Sequence, residues 1–416
     1  MIELNTLSKI GLGTYRMGIG NDGDYDAVRA AINAGCTLID TAPNYVDGAS
    51  ELLVGKVLRD INKEVFITTK AGYIQGVDMG PVAALKFENV VKINNNFSYS
   101  IDPNFLSFQL QKSLNRLGKS CIDGFFLHNP EHYFSDPKDP IGKPELYNLI
   151  KKAFSFLEEQ VSKGKIRYYG ISSNTFPFSS DNSTTLDIQT ICDLAKSIAT
   201  TNHFKIIQFP YNILETEATT GIHSNGKSLL SIAKGLGLQT FSNRPLNGSS
   251  SSGAVRLVTH YPEVSSATIN NSLIVNVLDL IHSKLDEKGM ADQWDEFPVL
   301  VELEKNWNKI GNPEGVASLF GNYLMPFMNA LYEEKVPVEV NTLLELLFHE
   351  MDILSKRNIT IVASRLEKDL IDNGLMGIGP GTFPKRLCQY YLSQGVDHVL
   401  VGMRKKKYVE ELTGLF

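Results

Sequence analysis

Three short apolar runs lead into groups that can move a proton. LIDTAPNY, Leu38 to Tyr45, sets an acid, Asp40, five residues before a phenol, Tyr45; VFITTK closes on Lys70 and DGFFLH closes on His128. Taken singly, each has an ordinary reading: Lys70 a solvated strand end, Asp40 a turn or helix cap, Tyr45 half-buried packing, His128 a satisfied histidine at a core edge. Taken together they have a chemical use. Reducing a carbonyl requires a hydride at carbon and a proton at the developing alkoxide. Tyr45 is the acid in this reading. A phenol ordinarily ionises at about 10, so a Lys70 ammonium beside it is expected to stabilise the phenolate. Asp40 pairs with Lys70 and orients it; its own negative charge opposes phenolate formation, so positioning is its contribution. A neutral His128 hydrogen-bonds the substrate oxygen and fixes the carbonyl. The hydride has to come from a bound donor.

Bringing these residues together requires a scaffold that gathers strand ends. Eight short runs recur along the chain: KIGLG near residue 10, CTLID at 36–40, EVFITTK at 64–70, CIDGFFLH at 121–128, KIRYYGIS at 165–172, FKIIQF at 204–209, GLQTFS at 237–242 and HVLVG at 398–402. Most are apolar without strict alternation, as parallel strands covered on both faces are. Helical patterns lie between several of them. In 24–35, Val28, Ala31 and Ile32 share a side before Gly35. In 102–118, Asp102 reads as a cap and Pro103 as the first helical residue, with Phe105, Leu106, Leu110, Leu114 and Leu117 apolar before Gly118. The stretch 145–164 has the same character and also ends at a glycine. Eight buried runs with helices between several of them predict an α/β chain folded as a (β/α)8 TIM barrel, which leaves no sheet edge and collects its chemistry at the C-terminal strand ends. An open doubly wound sheet fits the pattern less well, since GLGTYRMGIG at 11–20 lacks the GxGxxG spacing of that fold.

Two segments break the rhythm. Residues 74–101, with Asn94, Asn95 and Asn96, exceed a routine connection and are expected to form an extended loop insertion. Residues 249–355 open on the flexible-looking NGSSSSGAVR and continue into amphipathic helix, which predicts a mostly helical insertion in a single barrel domain of residues 1–416. It could serve as a lid, an oligomer surface or an enlarged covering.

Composition narrows the partners. With 43% hydrophobic and 21% charged residues the chain is of ordinary globular type, and a net charge of −6 offers no broad attraction to a phosphate backbone or an anionic membrane. Nucleic acid and membrane are not expected partners. Cys36, Cys121, Cys192 and Cys388 are too scattered for a metal cluster and read as reduced thiols. The start MIELNTLSKIGLG carries no secretory pattern, so a cytoplasmic location is expected. HNPEH at 128–132 does not make a zinc motif, because Pro130 lies between its histidines and no glutamate follows the first one directly; no metal site is expected.

GLGTYRMG, IDTAPNY with SELLVGKVL, VFITTK, SLNRLGKSCIDGFFLH, GKIRYYGISSN, IIQFPYN and HVLVGMRKKKYVEE together resemble the aldo-keto reductases, metal-independent (β/α)8 enzymes that use nicotinamide cofactors. The resemblance covers 1 to about 248 and about 356 to 416. It implies that Asp40, Tyr45, Lys70 and His128 form the catalytic tetrad. It also implies that Gly13 and Thr14 contact the cofactor and that Ser172, Ser173, Asn174 and Gln208 grip the nicotinamide carboxamide. At FSNRPLNG the family's usual stacking aromatic is replaced by Asn243. Either Phe241 reaches the ring, or Asn243 and Arg244 hold it without stacking. Arg244 suits a pyrophosphate equally and could instead anchor the loop. The resemblance further implies that Gly402, Met403, Arg404, Lys407 and Glu411 surround the adenosine end. Arg404 with Lys407 favours NADP over NAD, although the lysine run also reads as a solvated face. The implied substrate is a small carbonyl or alcohol: an aldehyde, a ketone or a sugar-type aldose. The chain is expected to be a monomer, or a homo-oligomer joined through the insertion. A cofactor-binding regulatory or assembly subunit with little turnover is the alternative.

Overall fold

The computed structural model describes residues 2–136, 140–224, 226–250, 253–261, 263–265, 270–333 and 335–416. Eight parallel strands, β1 (Ile10–Gly13), β2 (Leu38–Asp40), β3 (Phe66–Ala71), β4 (Ile122–His128), β5 (Ile166–Ser172), β6 (Phe204–Pro210), β7 (Gln239–Asn243) and β8 (His398–Val401), close into a barrel in sequence order. Every apolar run expected as a strand is one. Their lack of alternation has a direct cause: β2, β3 and β8 are buried at every position, with helices outside and packed side chains inside.

The main outer helices are α1 (Asp22–Asn33), α2 (Ala49–Ile61), α3 (Pro103–Leu117), α4 (Lys143–Ser162), α5 (Ile188–Ile198), α6 (Leu229–Gly235), α7 (Phe383–Ser393) and α8 (Lys406–Leu412). Helix α3 starts and stops where its caps dictate. Asp102 accepts the Asn104 N–H at 2.9 Å, Pro103 supplies the first turn, and Gly118 ends the helix at φ 65°. All five of its expected apolar positions are buried.

Inside the barrel, Leu38, Phe66, Phe126, Ile206, Phe241 and Leu400, each from a different strand, join Leu7 in one apolar layer. Gly170 lies against this layer, where a β-carbon would sit 2.2 Å from the Ile206 carbonyl and 2.8 Å from the Phe126 ring. Only glycine lets β5 and β6 approach that closely. Strand register then sets the rim: Gly13 lies beside Asp40, Asp40 beside Thr68, His128 beside Ser172, and Ser172 beside Gln208.

Residues 74–101 are not an extended loop. Tyr73–Ile74, Val91–Asn94 and Phe97–Tyr99 form a three-stranded antiparallel sheet with Phe97–Tyr99 in the centre, and a helical turn, Met79–Leu85, precedes the second strand. This flap has its own core of Ile74 and Val82 against Phe105 of α3. The asparagine run that looks loop-like is its hairpin turn, where the Asn94 side chain accepts the Asn96 N–H at 2.8 Å.

The chain divides into two compact units, Met1–Ala254 with Lys385–Phe416, and Val255–Pro384. Five main helices make up the second: Ser272–Glu287, Pro298–Asn306, Pro313–Leu319, Met325–Leu331 and Val338–Asp372. They enclose an apolar core that includes Ile281, Leu300, Leu324, Met328 and Leu347. The last helix runs well past residue 355, since no glycine or proline interrupts it before Gly374. No helix among the described residues is long and apolar enough to cross a membrane.

Candidate active site

Lys70 is the centre of the polar cluster at the C-terminal rim. It has no exposed surface, and each of its three ammonium N–H groups has an acceptor: Asp40 Oδ2 at 2.7 Å, the Thr41 carbonyl at 2.9 Å and Tyr45 Oη at 3.2 Å. An ammonium so deeply buried requires such a set. Burial still pushes it down from the ordinary lysine range, against the upward pull of Asp40 and Glu51.

Asp40 is fixed from its other oxygen. Oδ1 accepts the Thr68 hydroxyl at 2.7 Å and the Gln208 amide at 3.0 Å, and Gln208 Oε1 accepts the Ser172 hydroxyl at 2.9 Å. A continuous string therefore runs Ser172, Gln208, Asp40, Lys70, Tyr45. Thr68 was legible in retrospect, because it lies two residues before Lys70 on one strand and shares its face. The link from Gln208 to Asp40 was not legible, since 168 residues separate them.

Tyr45 sits on the turn after β2, and the exposed ring of Tyr15 meets it edge-on at 5.1 Å. Burial, then the Asp40 carboxylate, then Tyr15 hold its phenol well above the usual value. The Lys70 contact does not reverse this, so the resting group is a phenol and the expected phenolate-stabilising pull of the ammonium is outweighed. His128 packs against Tyr73 of the flap, ring centroids 4.5 Å apart, and against Tyr45 at 6.3 Å. Burial, then Lys70 and then His132 push its imidazole well below the usual histidine value, so it is neutral.

The cofactor-side candidates divide. Ser172 and Gln208 are buried in the string, Ser173 is buried with its N–H on the Gln208 carbonyl at 2.9 Å, and Asn174 is exposed. Gly13 and Gly402 stand side by side, the missing β-carbon of Gly402 only 3.9 Å from the Gly13 carbonyl, and Thr14 is buried with its hydroxyl on the Asp40 carbonyl at 3.0 Å. Phe241 does not reach a ligand. It has no exposed surface, and its ring is edge-on to Phe126 and His398 in the barrel's apolar layer. Asn243 keeps the rim position, with a buried Oδ1 that has no hydrogen-bond partner among the described residues. Arg244, at φ 54°, is turned to Glu215 at 2.9 Å, as a loop anchor would be. Met403 is buried, and Arg404 is held at Nε by Asp24 Oδ1 at 3.2 Å while staying 42% exposed. Lys407 lies over the Tyr408 ring, and Glu411 follows on α8.

Two groups beside the site gave no usable signal in the sequence. Tyr73 Oη accepts from Asn129 at 2.7 Å and pairs with His132 Nε2 at 2.8 Å, which gives the second histidine of HNPEH a protein partner. Glu131 is buried and accepts the Asn174 N–H at 2.8 Å through Oε1. Burial pushes its carboxyl up to about 7.

The Aldo/keto reductase family model matches residues 9–318. The chain is 30% identical over 178 residues to NADH-specific methylglyoxal reductase of Escherichia coli (strain K12), covering 40% of this chain and 49% of that protein. It is 30% identical over 218 residues to aldo-keto reductase YhdN of Bacillus subtilis (strain 168), covering 50% and 52%. The chain thus spans about half the length of these curated relatives. In fold it is similar to glycerol dehydrogenase AKR11B4 from Gluconobacter oxydans, with a TM-score of 0.50 and 18% identity over 99% of this chain and 86% of that one. A closed eight-stranded barrel and a family match over most of its length establish that the chain belongs to the aldo/keto reductase family.

Proposed function

We propose that the chain is a nicotinamide-dependent oxidoreductase that interconverts a small aldehyde, ketone or sugar-type carbonyl and its alcohol, with Tyr45 as general acid and base. One observation carries this reading. All three Lys70 protons are engaged, one of them by Tyr45 Oη, so Tyr45 accepts on its inner side and its own proton is free to be given outward. The raised phenol keeps that proton in place until an alkoxide develops beside it.

The residues present suit a nicotinamide cofactor. Side-by-side Gly13 and Gly402 leave the ends of β1 and β8 bare of side chains, and the buried Asn243 Oδ1, without a partner among the described residues, is an acceptor open to a donor. The hydroxyl and amide of Ser172 and Gln208 match a carboxamide in chemistry. When bound, the cofactor supplies the hydride. Ser172, Ser173, Asn174, Gln208 and Asn243 would hold its ring, while Gly402, Met403, Arg404, Lys407 and Glu411 would hold its adenosine end. The Arg404 guanidinium, fixed by Asp24 yet half exposed, favours NADP over NAD. Neutral His128 donates to the substrate oxygen and fixes the carbonyl near Tyr45. It adds no charge that would compete for the proton.

Titrating the protein with NADPH and NADH, followed by nicotinamide fluorescence and then by a carbonyl panel that begins with methylglyoxal, tests the reading. Saturable binding and turnover are expected. Tyr45→Phe should lower turnover about a hundredfold or more with cofactor affinity unchanged. Failure of the folded protein to bind either nucleotide would overturn the proposal, and full turnover by the variant would remove Tyr45 as the acid.

A further inference from the structure

The turn that carries Tyr45 is wound the wrong way for its residues. Val46 (φ 48°, ψ 42°) and Asp47 (φ 54°, ψ 41°) are both left-handed, and Gly48 follows at φ 87°. Glycine takes this conformation freely, whereas a β-branched valine is strained in it. Such a run persists only where its surroundings impose it, and here four contacts do. Asp47 Oδ1 accepts the Val77 N–H at 3.2 Å, in the short 3-10 turn Gly76–Asp78 that leads into the flap's helical turn. Gly76, itself at φ 51°, passes so close that a β-carbon there would lie 2.2 Å from the same oxygen. Behind the run, Gly48 lies against the Arg116 guanidinium of α3, where a β-carbon would be 2.7 Å from Cζ. The Val46 side chain rests on Gly18, with 3.3 Å between Cγ1 and the position a β-carbon would take.

The run is joined directly to the proposed acid. The Tyr45 carbonyl accepts the Ala49 N–H that opens α2, so the three left-handed residues form the only slack between the phenol and a rigid helix. Resting on the reading of Tyr45 as the acid, we propose that Asp47 is a positioning residue. Its clasp on Gly76 and Val77 holds the strained run in place, keeps Tyr45 Oη against Lys70, and makes the flap and the acid a single mechanical piece. Released from the clasp, Val46 would relax toward right-handed or extended backbone and carry the phenol with it.

The test is a set of steady-state measurements on Asp47→Ala, Asp47→Asn and Gly76→Ala, each checked for folding by thermal melt. Misplacing a reacting group by a fraction of an ångström costs rate more than binding. Asp47→Ala is therefore expected to lower kcat about tenfold, with KM and nicotinamide affinity within about twofold of wild type. Asp47→Asn, which keeps Oδ1 as an acceptor, should restore most of kcat. Gly76→Ala breaks the clasp from the flap side and should reproduce the alanine variant. The double variant should be no worse than either single one, because both remove the same contact. An unchanged kcat in a folded Asp47→Ala, a loss expressed only in KM, or additive losses in the double variant would overturn the proposal. Wild type and Tyr45→Phe turning over equally would instead overturn the assignment of the acid and leave the clasp without a reaction to serve.

Discussion

Replacing Asp40 by Asn tests whether the buried ion pair is what it looks like. Asp40 uses one oxygen for Lys70 and the other for Thr68 and Gln208, and the two charged side chains are 5% and 0% exposed. An amide has one oxygen, so its nitrogen must face either the ammonium or two hydrogen-bond donors, and Lys70 loses its counter-charge in both cases. Removing one partner of a buried pair costs about 3–5 kcal/mol. With an unfolding entropy of about 2.1 cal/mol/K per residue over a unit of this length, 3 kcal/mol corresponds to a fall in Tm of roughly 5 °C. The loss should depend on pH in a definite direction. Burial already holds Lys70 down, and without Asp40 it falls further. Between that folded value and the unfolded value of about 10.4 the native state binds fewer protons than the unfolded one, so stability rises with pH across the window. The deficit of Asp40→Asn against wild type should be largest near neutrality and narrow toward pH 10. Urea unfolding followed by far-UV circular dichroism at pH 7 and pH 9.5 measures it. Both tryptophans, Trp294 and Trp307, belong to Val255–Pro384, so tryptophan fluorescence recorded alongside reports that unit and not the barrel. A loss below about 1 kcal/mol, unchanged between the two pH values, would refute the buried pair, since that is the size of an exposed one.

Other outcomes follow from the same geometry. Because the Tyr45 phenol is held well up and the His128 imidazole well down, reductive kcat should be flat from about pH 6 to 8.5, while alcohol oxidation rises with pH; a reductive limb at about 6.5 would bring His128 charge into the step. Glu131, pushed up to about 7, costs stability as pH rises through that value, so Glu131→Gln should melt above wild type at pH 8 and level with it at pH 5; equal melts at both would place the carboxyl in water. Arg404→Ala with Lys407→Ala should weaken NADPH binding about tenfold or more and leave NADH nearly unchanged. Equal losses in calorimetry would remove the 2'-phosphate contact.

The barrel was legible in the sequence because parallel strands buried on both faces leave unbroken apolar runs, and helix α3 was legible because Asp102, Pro103 and Gly118 mark its ends. The meeting of Asp40, Tyr45, Lys70 and His128 followed from strand ends sharing one rim. Other features depend on packing that no local pattern encodes. The flap is built from strands of two to four residues, too short to show a period, and its turn of asparagines imitates a loop. Phe241 has the same chemistry whether it stacks on a ligand or fills a barrel; only register with Gln208 and contact with Phe126 decide it. Glu131 and Asn174 are far apart in the chain, and only the neighbouring ends of β4 and β5 bring them together. The helix through Ser355 runs on to Asp372, beyond the bound its sequence suggests, because a polar stretch inside a long helix reads like its end.

The string from Ser172 to Tyr45 also ties the barrel's walls together. Its members hang from β5, β6, β2, β3 and the turn after β2, so a single polar cord crosses the mouth and fastens strands that are not sequence neighbours. Under the proposed function, a substitution along it is expected to loosen closure and alter the chemistry together. Exchanging one of these residues therefore requires exchanging its partners with it, whereas Tyr15 and Tyr73, whose rings pack on Tyr45 and His128, lie outside the cord and can change one at a time.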